Sequence, residues 1–125
     1  MTTLTAERGA LASVLTEAEG LSFTIHPYMP ARLQAPGGLI VPGSPYLESG
    51  NTFGSFKIRL EAHLAVRTAN NEVATEELDA ALDIAVVAVV NAGWGVESVS
   101  EPYGLEANGA TYLAAAIQVT RAIRL

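Results

Sequence analysis

The stretch Phe56-Lys57-Ile58-Arg59-Leu60-Glu61-Ala62-His63-Leu64-Ala65-Val66-Arg67 decides how this chain folds. Phe56, Ile58, Leu60, Ala62, Leu64 and Val66 share one parity, and Lys57, Arg59, Glu61, His63 and Arg67 share the other. A period of two sends successive side chains to opposite faces of an extended backbone. The stretch therefore reads as one long amphipathic strand, residues 55–67, with one face on a core and one face polar. At about 3.3 Å per residue it would span more than roughly 30 Å, longer than most strands of globular domains. It is expected to project past its sheet or to bend.

Before this strand the chain is dense in turn formers, from Pro27 to Gly54. Leu39, Ile40 and Val41 make one short strand inside that passage, and Pro42 to Gly54 reads as a long loop. Tyr46, Leu47 and Phe53 are large apolar groups for a solvated loop, so something is expected to cover them. Earlier still, Leu4, Leu11, Val14 and Leu15 recur at helical spacing, with Thr3 or Thr5 as N-cap and Gly20 as the closing glycine. Leu21, Phe23 and Ile25 alternate with polar residues as a short strand that stops at Pro27.

After the long strand, Asn70-Asn71 marks a turn. Thr75 is read as the N-cap of a second helix, with Glu76, Glu77 and Asp79 at its positive end and Asp83 facing solvent. Leu78, Leu82, Ala85, Val86, Val89 and Val90 form its buried stripe, and Asn91 with Gly93 closes it. Val96 to Ser100 and Tyr112 to Val119 read as strands, with Asn108-Gly109 as a hairpin signal inside a wide connection from Glu101 to Ala110. The fold class that follows is α+β: a mostly antiparallel sheet of four to five strands with two helices packed on it, in the order α-β-β-β-α-β-β. The whole of 1–125 reads as a single domain.

Composition narrows the function. Half the residues are hydrophobic and 16% are charged, far from the make-up of a disordered chain. Aromatics are only 6%, so the core is expected to be aliphatic, and a thin core gains from burial against a partner. A net charge of -6 with seven Lys and Arg argues against non-specific nucleic-acid binding, although an acidic wall would let DNA pass without sticking. There is no cysteine, which removes disulfides and thiolate metal sites. The charged N-terminal stretch does not read as a signal peptide, and the longest near-apolar run, Ile84 to Val90, is too short to cross a bilayer. A soluble protein of the cytoplasm is expected, with no membrane contact.

Candidate chemistry is sparse. His26 and His63 have no ligand-spaced partner, and both read as surface histidines, so no metal site is expected. Glu76, Glu77 and Asp79 of the second helix are accounted for by the helix dipole, and Asp83 by its solvent-facing position one turn later. The glycines form neither a phosphate cradle nor a nucleophile elbow, and Trp94 in Gly93-Trp94-Gly95 reads as a plug at the edge of the core. No catalytic residue and no cofactor is expected. Lys57, Arg59 and Arg67 place three cations on one strand face. They suit either cross-strand ion pairs, to Glu97 or Glu101, or a contact with an acidic neighbouring subunit.

The passages "APGGLIVPGSPYLESG", "FKIRLEAHLAVRT", "NEVATEELDAALDIAVVAVVNAGW" and "VESVSEPYGLEANGATYLAAAIQVTRAI" together resemble the tail terminator proteins of long-tailed bacteriophages, especially the small ones of phages that infect actinobacteria. The resemblance covers nearly the whole chain. It implies a non-enzymatic subunit of a homohexameric ring that caps the tail tube, ends its polymerisation and joins tail to head–neck connector. The partners it implies are copies of the chain, the tail tube protein and the connector, with the genome passing through a central channel. The location it implies is the tail–neck junction of the virion. The residues themselves add candidate contacts at Tyr46, Phe53, Lys57, Arg59, His63 and Arg67. Two other readings stand beside it: another neck or head–tail joining protein, and a small ligand- or peptide-binding regulatory domain.

Overall fold

In the computed structural model, which describes residues 2–67 and 72–125, the long strand lies at the centre of a sheet. The elements are α1 (Thr3–Thr16), β1 (Thr24–His26), β2 (Gly37–Ser49), β3 (Ser55–Ala65), α2 (Glu72–Asn91), β4 (Gly95–Val99), β5 (Tyr103–Ala107) and β6 (Ala110–Arg124). The strand order is β1-β2-β3-β6-β4, with β5 also paired to β6. Every pairing is antiparallel except that of β1 with β2. The class and order expected from the sequence hold: α+β, a mostly antiparallel sheet and two helices. Six strand segments make a sheet five strands wide, because β4 and β5 lie end to end along β6.

The period-two reading of β3 is correct. Ile58, Leu60, Ala62 and Leu64 are buried under α1 and α2, where they meet Leu11 and Leu15 of α1 and Leu78, Ala85 and Val89 of α2. Ala65 and Val66 are buried as well, and the Val66 amide continues the ladder to the Leu113 carbonyl. A smaller core of Leu33, Leu39, Ala65 and Ala114 closes the opposite face at one end. The segment carrying Leu33 is held there by Asn108, whose Nδ2 donates to the Leu33 carbonyl at 2.5 Å.

The expected loop from Pro42 to Gly54 is mostly strand. β2 runs through Pro42 and Pro45 and pairs with β3 again at Leu47, Glu48 and Ser49. Proline cannot donate to a ladder, so a central strand excludes it, whereas an edge or a bulge tolerates it. Both conditions are met here. β1 covers β2 only at Gly37 to Leu39, and between the pairs Pro42↔Leu60 and Leu47↔Ile58 the residues 43–46 face Arg59 alone. Only residues 50–54 turn, with Gly54 at φ +81°.

Other boundaries move for local reasons. The N-cap of α1 is Thr2, whose hydroxyl accepts from the Thr5 amide, and the helix closes at Glu17 rather than at Gly20. β1 is shorter than the alternation of residues 21–25 implied, although Leu21 is buried. α2 begins at Glu72, so Thr75 lies inside the helix and Glu72 is the acid of its first turn. Burial of Ala74 extends the inward stripe through Leu78, Ala81, Ala85 and Val89, while Val90 turns outward. The expected turn at Asn70-Asn71 lies outside the described residues.

The wide connection expected before β6 is instead β5 and a two-residue turn. Asn108 (φ 56°) and Gly109 (φ +74°) both take the left-handed conformation that such a turn requires. Between β4 and β5, Ser100 keeps the edge bonded. Its amide donates to the Ala116 carbonyl and its hydroxyl accepts from the Ala116 amide, just before Pro102, which has no N–H to offer. Trp94 plugs the core edge as expected and is 2% exposed. Arg121 lies over its ring at 4.4 Å and bonds Glu7 of α1 at 2.5 Å, tying helix to sheet.

Leu60→Ala, at the centre of this core, should lower the unfolding free energy by about 2–5 kcal/mol in a denaturant titration. Gly109→Ala should cost about 1 kcal/mol, from backbone strain alone.

Candidate functional site

The six residues marked out by the sequence do not form one patch. Tyr46 packs against the helix-side core, and its hydroxyl accepts from Arg8 Nη2 at 3.2 Å. Phe53 sits at the tip of the β2–β3 hairpin with its side chain fully in solvent, at 102% relative exposure. Its carbonyl accepts from Arg124 Nη1. Lys57 lies 3.7 Å from Glu48 across the hairpin. Arg67 leaves the strand face and pairs with Glu77 of α2 at 3.1 Å.

Arg59 is the best-held cation of the set. Its Nε and Nη2 bind the two oxygens of Glu97 at 2.6 and 2.9 Å, a fork-to-fork geometry that fixes orientation as well as distance. Nη1 lies 2.8 Å from Glu48 and donates to the Pro45 carbonyl at 3.2 Å. Glu97 can reach it because it is the extra residue of a bulge in β4, between the pairs Val96↔Val119 and Ser98↔Gln118. On the other side, the β2 bulge brings Gly43 over the arginine stem. A Cβ there would meet Arg59 Cγ at 2.5 Å, so the position needs glycine. The hydrogen bond from Arg59 holds the Glu97 carboxyl below its usual range, and the Arg59 guanidinium is raised in return, first by Glu97 and then by Glu48.

Next to this pair runs a polar chain across the face of the sheet away from the helices. Tyr103 of β5 meets His63 Nδ1, His63 Nε2 meets Glu61 at 3.1 Å, and Gln118 donates to the other Glu61 oxygen at 3.0 Å. Ser98 in turn donates to Gln118 at 3.1 Å. With the ring proton of His63 on Nε2, the tyrosine hydroxyl donates to Nδ1, and the imidazole and the Gln118 amide each donate to a different Glu61 oxygen. The register explains the reach. Tyr103 sits opposite Ala114, and His63 opposite Ala116, so two small residues of β6 leave room for the tyrosine to cross toward β3. His63 is therefore not a free surface histidine. Its side chain is 18% exposed and lies edge-to-face with Tyr103. Burial, with a smaller contribution from Glu61, pushes the Tyr103 phenol up to about 12, away from the value an activated hydroxyl would need.

Glu61 and His63 share a parity in the sequence, so their proximity was legible there. Tyr103 and Gln118 were missed, because no sequence pattern reports which residues a strand pairing brings across. Among the described residues, no group of three or more His, Asp or Glu is arranged to hold a metal ion, and no helix is long and apolar enough to cross a membrane.

With the charges of the β3 face paired within the chain, large apolar groups stand out on the surface of the described residues. Besides Phe53, these are Tyr28 and Met29 after β1, Val73, Val87 and Val90 on the outward side of α2, Val99 at the end of β4, and Leu125. Between α2 and the turn after α1 lies an open groove of about 440 Å³, floored by Ala18, Ile84, Val87 and Ala88 and rimmed by Glu19 and Asp83. No protein-family model and no curated protein matches this chain.

Glu97 has a depressed value in the fold, so its stabilising effect is complete above the ordinary 4.5 and fades as pH falls through the folded value. Glu97→Gln should lower the denaturation midpoint at neutral pH, and the gap to wild type should close in acid. Tyr103 has the opposite dependence: its contribution is complete below 10 and is lost as pH rises toward about 12. A phenolate absorbance titration should show that late step, and Tyr103→Phe should remove it.

Proposed function

We propose that this chain is a structural assembly protein of the tail-terminator type. In this reading, copies form a ring that caps a tail tube, stops its growth and joins it to the head–neck connector, leaving a channel for DNA. The observation that carries it is the exposure of large apolar side chains on three separate elements: the β2–β3 hairpin tip, the segment after β1, and the outer side of α2. Apolar groups exposed on several sides give a subunit surface to bury against more than one neighbour. The sequence resemblance supports the same assignment along nearly the whole chain.

Electrostatics agree with it. A net charge of -6 suits the wall of a channel through which a polyanion moves without binding. The basic residues of β3 do not supply a free positive face, since Lys57 and Arg59 meet Glu48 and Glu97 of the same chain. Subunit contact then relies on apolar burial, and charge sets direction only at the rims.

The purified chain, mixed with the tail tube protein of the same virion and viewed by electron microscopy, should form rings and shorten the tubes. In light scattering its mass should be several times 13.1 kDa. A strict monomer that leaves tube length unchanged would overturn the proposal.

A further inference from the structure

We propose a specific subunit contact, resting on the ring-forming reading above: Phe53 of one copy seats in the groove between α2 and the turn after α1 of the next copy. The knob and the socket are complementary in three respects. The Phe53 side chain is left fully exposed on a hairpin tip of only five residues, 50–54. The Arg124 guanidinium pins that tip by donating to the Phe53 carbonyl at 3.1 Å, which orders the knob before binding. The socket has an apolar floor of Ala18, Ile84, Val87 and Ala88 and, at about 440 Å³, space for a phenyl ring.

Charge gives the contact its direction. Arg124 stands beside the knob, and among the described residues no carboxylate of its own chain neutralises it. The socket carries Glu19 and Asp83 on its rim. Seating Phe53 brings Arg124 to these acids, so the basic tip is attracted to the groove of a neighbour and repelled by another tip. Knob and socket are different patches of one surface, so the contact is head to tail. Such contacts close into a ring when the rotation between copies fits, and they leave each copy one free knob and one free socket until closure.

Two variants of the full chain separate this contact from the ring reading. Phe53→Ser keeps the socket and removes the knob; Val87→Arg keeps the knob and blocks the socket. Both positions are solvent-exposed, so thermal midpoints should match wild type. In light scattering over a concentration series up to millimolar, wild type should assemble beyond twice 13.1 kDa. Each variant alone should associate about a hundredfold more weakly. Their equimolar mixture should recover association and stop at twice 13.1 kDa, because only one knob and one socket remain between them. Arg124→Glu should weaken assembly, and adding Asp83→Arg to the same chain should restore it.

Variants that assemble as well as wild type would overturn the contact and leave the ring reading standing. Variants that fail alone and stay apart when mixed would overturn its head-to-tail form. A wild-type chain monomeric at every concentration, with tube protein present as well, would overturn both.

Discussion

Ile58, Leu60, Ala62 and Leu64 project from one face of β3 into the layer made by α1 and α2, and the other elements are arranged around their burial. Removing a large aliphatic side chain from water is worth about 1.5–3 kcal/mol, against about 1–2 kcal/mol per residue for fixing the backbone. A single strand cannot meet that cost alone. Hydrogen bonding to β2 on one side and β6 on the other, with two helices above, lets the same residues serve several neighbours. The consequence is that the polar parity of β3 also ends up in the middle of a sheet. Arg59, Glu61 and His63 must find partners sideways, across strands, because water reaches them only in part.

Those sideways partners account for the irregular features of the sheet. Arg59 is met by a bulge from each side, one in β2 that offers the Pro45 carbonyl and one in β4 that offers Glu97. The prolines that break the ladder of β2 thus create the place where a guanidinium replaces a missing backbone donor. His63 and Glu61 are satisfied by Tyr103 and Gln118 through the narrow passage over Ala114 and Ala116. A face that is amphipathic in the sequence becomes a connected polar layer, and its charges are largely neutralised before any partner arrives.

That internal neutralisation bears on how the protein meets other molecules. The sequence offers six contact candidates: Tyr46 and Phe53 as apolar groups in need of cover, and Lys57, Arg59, His63 and Arg67 as the polar face of a strand. In the fold, Tyr46, Lys57, Arg59, His63 and Arg67 each have a partner, and only the side chain of Phe53 stands free. The weight of interaction shifts from a basic strand face to apolar groups at the ends and outer sides of the molecule. An assembly built on such contacts would be less sensitive to salt than one built on charge, since exposed ion pairs are screened and apolar burial is not.

The sequence by itself determined the class of fold, the position and sidedness of β3, two helices and the absence of thiol chemistry. It could do so because periodicity and composition are local properties, written in consecutive residues. It also marked Phe53 as a side chain in need of cover and Glu97 as an acid that could meet the strand's cations. Only the tertiary structure decided that β2 continues through two prolines, that β5 fills the expected connection, and that Arg59 and His63 are held rather than free. Each of these depends on register between segments far apart in the chain. A proline's cost is set by whether its edge is covered, and a charge's role is set by which residue the opposite strand places beside it. Neither is recorded in the order of the residues.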